Sequence, residues 1–390
     1  MKNMLKVVEV LKPVVLMVVV QIANAWVNVL YKLAVNDGMS LRVVVAYRYI
    51  FATAFIAPLA YILERKTRTK MTCTILFQSF LCGLFGGALP QNLQMEALAL
   101  TSVTFATAIS NLVPAITFIL SLSFGMERLN LRKAAGKAKI IGTLTGIGGA
   151  MLMTFYRGVQ VNILSFHINL FNNNHNNHPK SHGSGSGSGG LFLLGALSSF
   201  SSNASYALWL IIQAKMSRAY PYPYSSTALM CVMGAILSVT FTFCLERDLS
   251  QWKLGWNVRL LTVAYAGIVV SGIMVAVISW CVRMRGPLFV SVFSPLMLVV
   301  VAFAGSTILD ENLYLGSIMG SLLIVCGLYL VLWGKSKEMV KNQLVPSKSD
   351  KLEIVVKSQD SLKNNGGEED RVTLTHMHHN NRTEKEGEQN

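Results

Sequence analysis

The chain has 390 residues, 52% of them hydrophobic and only 14% charged, where a soluble domain carries about 25% charged residues. Between Thr74 and Met126 the single charged side chain is Glu96; no aqueous surface is built from such a stretch, whereas lipid solvates it well. The net charge of +15 lies in short loops between apolar runs, the pattern of cytoplasmic membrane loops, and no basic patch with interleaved aromatics points to nucleic acid.

Apolar runs long enough to cross a bilayer, about 17–25 residues each, fall at 12–33, 43–63, 74–98, 102–126, 139–156, 191–212, 225–245, 259–281, 287–308 and 314–333. The fold class expected is therefore an all-α integral membrane protein of ten transmembrane helices. The first run follows Lys2, Lys6 and Lys12, and Ala23-Asn24-Ala25 has the small-x-small form of a signal-peptidase site. Apolar sequence continues past it to Leu33, so a retained helix is expected. With the N-terminus placed inside, the inside segments hold 19 Lys and Arg residues and the outside loops 7. That asymmetry predicts both termini in the cytoplasm.

Residues 157–190 contain an Asn/His run followed by Gly183 to Gly190 as Gly/Ser sequence, the composition of a flexible linker. The tail 335–390 is polar and highly charged and is expected to be disordered. Histidines in both segments, among them His175, His178, His378 and His379, are read as part of this polar sequence and not as metal ligands. The six cysteines form no CxxC pair, so neither a zinc site nor a disulfide framework is expected. No phosphate loop, HExxH or GxSxG elbow is present. An enzyme is not expected, and no cofactor or metal is predicted.

The chain also repeats internally. Asn111-Leu112-Val113-Pro114 in span four resembles Phe293-Ser294-Pro295 in span nine, with Glu127 following the first and Asp310 and Glu311 the second. Aligning the two prolines sets Gly86 against Gly267. The domains expected are a first repeat over 1–156, the linker 157–190, a second repeat over 191–334 and the tail 335–390. Five helices per half is an odd number, so the second half must be inverted, a common construction of secondary transporters.

Polar groups inside a span are costly and often functional. Span one places Gln21, Asn24, Asn28 and Tyr31 on one helix face. In span three Gln91, Asn92 and Gln94 follow Pro90, which lacks the N–H that would continue the helix ladder. Span four aligns Thr104, Thr107, Asn111 and Pro114, and span six Ser202, Tyr206, Trp209 and Gln213. These faces suit a central polar cavity with aromatic walls. The substrate-binding candidates are Gln21, Asn24, Asn28, Gln91, Asn92, Gln94, Thr107, Asn111, Tyr206 and Trp209. The gating or helix-breaking candidates are Pro90, Pro114, Pro295, Glu127 and Glu311. For a single Ser or Thr the competing reading is hydrogen-bonded helix glue. Arg48 in span two is expected to snorkel to the outer interface; a pair with Glu96 or with an acidic solute is the alternative. Gly142, Gly146 and Gly149, with Gly316 and Gly320, read as close helix packing.

Leu89-Pro90-Gln91-Asn92-Leu93, Glu96-Ala97-Leu98, Thr101 to Ala106, Asn111 to Ala115, Gly142-Thr143-Leu144, Gly149 to Met153 and Leu328 to Lys335 together resemble the plant nodulin-21-like family. Its members are also called walls-are-thin-related, or usually-multiple-acids-move-in-and-out, transporters. The family belongs to the EamA-domain branch of the drug/metabolite transporter superfamily. The resemblance covers residues 10–338. It implies ten helices in two inverted five-helix EamA-type repeats, and bidirectional facilitation or export of amino acids or related small organic acids. Auxin or a specialised metabolite is the second substrate class implied. A non-transporting receptor or scaffold is the competing class. The plasma membrane is expected ahead of the vacuolar membrane. The partners expected are a small-molecule solute and membrane lipid, with proton coupling and a homodimer left open.

Overall fold

The computed structural model describes residues 2–66, 71–101, 103–127, 132–156, 189–245, 252, 254, 257–308 and 315–344. The described residues up to Gly334 belong to one compact unit. Most of the linker, the tail beyond 344 and Glu311 lie outside the described residues.

Every regular element among the described residues is helical. Lipid offers the backbone no hydrogen bonds, so each span must satisfy its own N–H and C=O groups. In chain order the elements are α1 (Lys2–Asn36), α2 (Leu41–Glu64), α3 (Cys73–Gly83), α4 (Leu89–Leu100), α5 (Val103–Ser110), α6 (Val113–Ser123), α7 (Ala134–Phe155) and α8 (Gly189–Ala219). They continue as α9 (Pro223–Leu245), α10 (Val258–Ala264), α11 (Val275–Arg285), α12 (Pro287–Ser291), α13 (Leu296–Ile308) and α14 (Leu315–Leu344). A π-helical segment, Leu84–Ala88, joins α3 to α4 in one rod, and another, Tyr265–Met274, joins α10 to α11.

Among the described residues eight helices are long and apolar enough to cross a membrane; the expected ten are not reached. The two expected spans that fall short do so for visible reasons. Helix α8 has the length, 31 residues, but Ser198, Ser199, Ser201, Ser202, Asn203 and Ser205 interrupt its apolar sequence. Span nine is divided by a turn over 292–295, between α12 and α13. Pro295 has no N–H to offer the ladder, and Phe293 N and Ser294 N instead make the tighter bonds to Val290 O and Ser291 O, at 3.2 and 3.0 Å.

Large apolar side chains line the outside of the bundle. Ile62, Ile119, Leu144, Leu322 and Tyr329 are all more than half exposed, a surface that hydrocarbon solvates and water does not. The interior holds many Ser and Thr residues. Helix α2 packs along α9, and α4 along α8, so helices from early in the chain lie against helices from late in it. Glu64 at the end of α2 fixes one of these contacts. Its carboxylate accepts hydrogen bonds from Tyr224 N (3.1 Å) and Ser225 N (2.7 Å) at the start of α9, where unpaired amides and the helix dipole favour an anion.

Helices α7 and α14 approach through glycine. A Cβ on Gly142 would stand 2.7 Å from Gly327 O, and one on Gly149 would stand 2.8 Å from Gly320 O. No side chain fits at that separation, which is the reason small residues occupy such membrane interfaces.

Candidate functional site

A cavity of about 350 Å³ opens between α1, α2, the α3–α4 rod, α8, α9, the α10–α11 rod and α13, at the low end of the usual range for small-molecule sites. Trp209 on α8, Met230 on α9 and Ile278 on α11 form its floor. Tyr31, Leu41 and Leu98 carry it toward the end of the bundle that holds the α1–α2 turn.

Helix α1 supplies Asn24, Asn28 and Tyr31 from one face, since steps of four and three residues return to the same side. Asn24 Nδ2 bonds Val20 O at 2.9 Å. The α3–α4 rod supplies Gly86, Pro90, Gln91 and Gln94. Pro90 has no N–H for the preceding turn. The carbonyl four residues back, Gly86 O, accepts from the Tyr49 hydroxyl of α2 at 3.2 Å, and Pro90 O accepts from Ser202 Oγ of α8 at 2.7 Å. Tyr206 and Trp209 form an aromatic wall on α8, their rings 5.3 Å apart. Trp209 lies directly over Gly86, where an added Cβ would meet the indole at 2.6 Å.

Arg48 does not turn toward the interface, as a snorkelling side chain would. It lines the cavity. Its Nη1 donates to Tyr31 OH at 3.0 Å and its Nε to Ser271 Oγ on the π-helical segment. The guanidinium carbon lies 5.7 Å from the centre of the Tyr49 ring. Among the described residues Arg48 has no carboxylate partner, and it is the single charged side chain in the cavity lining. Glu96 is exposed on α4 and lies outside that lining. Two more polar atoms at this site, Trp209 Nε1 and Gln94 Oε1, are buried with no hydrogen-bond partner among the described residues. The site therefore offers a cation with free donors, a further N–H donor, a carbonyl acceptor and aromatic faces. A guanidinium grips a carboxylate through paired hydrogen bonds, while an amide oxygen and ring faces suit an ammonium group.

Of the residues singled out in the sequence, Asn24, Asn28, Gln91, Gln94, Tyr206, Trp209 and Pro90 line the cavity. Four others are elsewhere. Gln21 is buried one turn from Asn24. Asn92 Nδ2 bonds back to Ala88 O at 2.6 Å. Asn111 Nδ2 reaches Thr154 Oγ1 of α7 at 3.2 Å. Thr107 is half-buried on α5 and its carbonyl accepts from Asn111 N. Pro114 follows the interruption at 111–112, and Pro295 is the last residue of the one at 292–295. They border a separate void of about 10 Å³ beside Gly142 and Gly146. Glu127 is buried and paired with Lys139 at 2.9 Å. Tyr49 in the lining and Ser271 behind Arg48 were not singled out in the sequence, and Arg48 was expected at the interface, with an acidic solute as one alternative partner; the signal available there was a charge in mid-span.

A sequence model of the EamA-like transporter family matches the chain twice, over residues 11–155 and 193–333. A WAT1-related protein of Arabidopsis thaliana is 46% identical over 355 residues, spanning 91% of this chain and 98% of its own length. Two other WAT1-related proteins of that plant are 44% and 40% identical, over 84% and 91% of this chain and 91% and 88% of their own. A solved crystal structure, 16% identical, covers 82% of this chain and 96% of its own with a TM-score of 0.60, which shows a shared fold.

Proposed function

The chain belongs to the EamA-like transporter family, and on that premise we propose that it is a secondary transporter of amino acids or related small organic acids. The observation that carries this reading is Arg48, a cation in the cavity wall with hydroxyl partners and no carboxylate among the described residues. Withdrawing such a charge from water is costly unless an anion joins it, and a solute carboxylate supplies that anion. Gln91, Gln94, Asn24 and Asn28 then face the remainder of the solute, the amino group of an amino acid included.

Transport proceeds by alternating access, with two inverted five-helix repeats over 1–156 and 191–334 rocking about the cavity. Two features support this. The rods 73–100 and 258–285 each carry a π-helical segment, and α6 and α13 each follow a break, beside Pro114 and Pro295. In this reading α8 and the broken α12–α13 pair complete ten spans. The positive-charge asymmetry supports cytoplasmic termini, with the cavity mouth on the opposite face, and the plasma membrane is the site proposed. A second substrate, an aromatic acid such as auxin, is favoured by the wall of Tyr49, Tyr206 and Trp209.

The test is a panel of radiolabelled amino acids and auxin, in uptake and efflux, at two external pH values in cells expressing the chain. The reading requires flux of at least one carboxylate solute above control cells. No flux for any solute, with the protein confirmed at the surface, would favour a receptor instead.

A further inference from the structure

One turn beyond the cavity floor lies a second polar layer, toward the end of the bundle that holds the α8–α9 turn at Tyr220–Tyr222. Three residues that line the cavity each have a polar residue four positions away in that direction. Trp209 is followed by Gln213 on α8, Met230 is preceded by Ser226 on α9, and Val275 is followed by Ser279 on α11. Four residues advance an α-helix by about 6 Å. The helices that wall the cavity thus set three polar side chains at one common depth.

These side chains bond one another. Gln213 Nε2 donates to Ser279 Oγ at 2.7 Å, and Ser279 Oγ lies 3.2 Å from Ser217 Oγ and 3.4 Å from Ser226 Oγ. All four are buried, Gln213 to 1% exposure, yet Gln213 Oε1 has no partner among the described residues. A small void of about 10 Å³ follows, lined by Ser217, Tyr220, Ser279 and Arg283. Arg283 itself is exposed and bonds Pro221 O at 2.9 Å. Polar groups therefore run from the layer to the surface. What separates the layer from the cavity is apolar: Trp209, Met230, Val275 and Ile278 belong to one buried cluster with Met17, Cys82 and Phe289.

Helix glue satisfies its own groups, and an amide oxygen left bare in a packed interior costs stability. We propose that Gln213, Ser217, Ser226 and Ser279 form the second half of the solute path, closed in this structure by the Trp209–Met230–Val275 layer. When α8, α9 and α11 part at that end, the four polar groups face the leaving carboxylate solute, and Arg283 stands at the exit. The assignment rests on the alternating-access reading.

The test uses the full chain in right-side-out and inside-out membrane vesicles, with Ser279→Cys as reporter and Ser226→Cys as a second reporter should the first not reach the membrane. The probe is the anionic reagent 2-sulfonatoethyl methanethiosulfonate. Modification is read peptide by peptide, against the parent with its own six cysteines. Arg283→Cys, at the exposed end, marks the face that reaches the layer. The reporter is expected to react from that face and to stay unreactive from the other. A reporter untouched from that face, over a time that fully modifies Arg283→Cys, would overturn the second vestibule. If the parent carries a solute while the reporter stays unreactive, the vestibule alone is refuted. If the reporter reacts while the parent carries no solute in the flux panel, the transport reading fails, and the layer is a water-accessible vestibule but no solute path.

Discussion

Replacing Arg48 with Gln removes the cavity's charge and leaves a neutral amide on a shorter side chain. In this structure Arg48 makes two hydrogen bonds to neutral hydroxyls and no ion pair among the described residues, so the substitution strands no buried carboxylate. The protein is therefore expected to reach the membrane at parental levels, since removing a charge that lacks a counter-ion does not carry the penalty of breaking a buried pair. Solute binding is another matter. A hydrogen bond to a charged group contributes about 1.5–3 kcal/mol, and each 1.4 kcal/mol is tenfold, so KM for a carboxylate solute is expected to rise about 10- to 150-fold. Arg48→Lys keeps the charge as a point without the planar fork and is expected to fall between parent and Gln. The assay is initial uptake rate against solute concentration, normalised to surface protein. An unchanged KM in Arg48→Gln would refute the assignment of the carboxylate to this residue. A protein that fails to reach the membrane would point to a structural role for Arg48.

Three further outcomes follow from contacts elsewhere. Glu127→Ala removes the carboxylate that pairs with buried Lys139 and is expected to cost about 3–5 kcal/mol; Glu127→Gln combined with Lys139→Met is expected to recover most of it, read as thermal unfolding in detergent. Gly149→Val drives a side chain into Gly320 O and Leu323 Cβ, 2.8 and 2.7 Å from the added Cβ. A loss of about 1–3 kcal/mol is expected from overpacking, and unchanged unfolding would mean that α7 and α14 are not held this closely. Trp209→Phe keeps an aromatic wall but removes the Nε1 donor, which has no partner among the described residues. KM is expected to rise by the worth of one neutral hydrogen bond, about 0.5–1.5 kcal/mol, with surface expression unchanged.

Much of the architecture was legible because lipid makes hydropathy a direct readout of span position. Where spans are interrupted the signal weakens. Serines lower the apolarity of α8, and the turn ending at Pro295 divides span nine, so neither segment matches the other eight helices. The π-helical segments carried no local signal beyond their glycines. The cavity was half legible. Helical spacing identified the Asn24, Asn28 and Tyr31 face, since α1 presents a single side to the cavity. The same spacing gave equal weight to Gln21, Asn92 and Asn111, which spend their hydrogen-bonding groups elsewhere or lie one turn too deep. Arg48 was read as an interfacial anchor because span two alone does not say which helix it meets. The hydroxyl that holds it, Ser271, lies 223 residues further along the chain.

The most direct measurement of the central claim is flux through the purified chain in liposomes, comparing a carried acid with its own primary amide. The two solutes match in size and ring or side chain and differ in the group that Arg48 is assigned to bind. The account predicts saturable flux of the acid, little flux of the amide, and loss of the difference in Arg48→Gln. Equal flux of acid and amide through the parent, or no flux of any acid through correctly inserted protein, would contradict it.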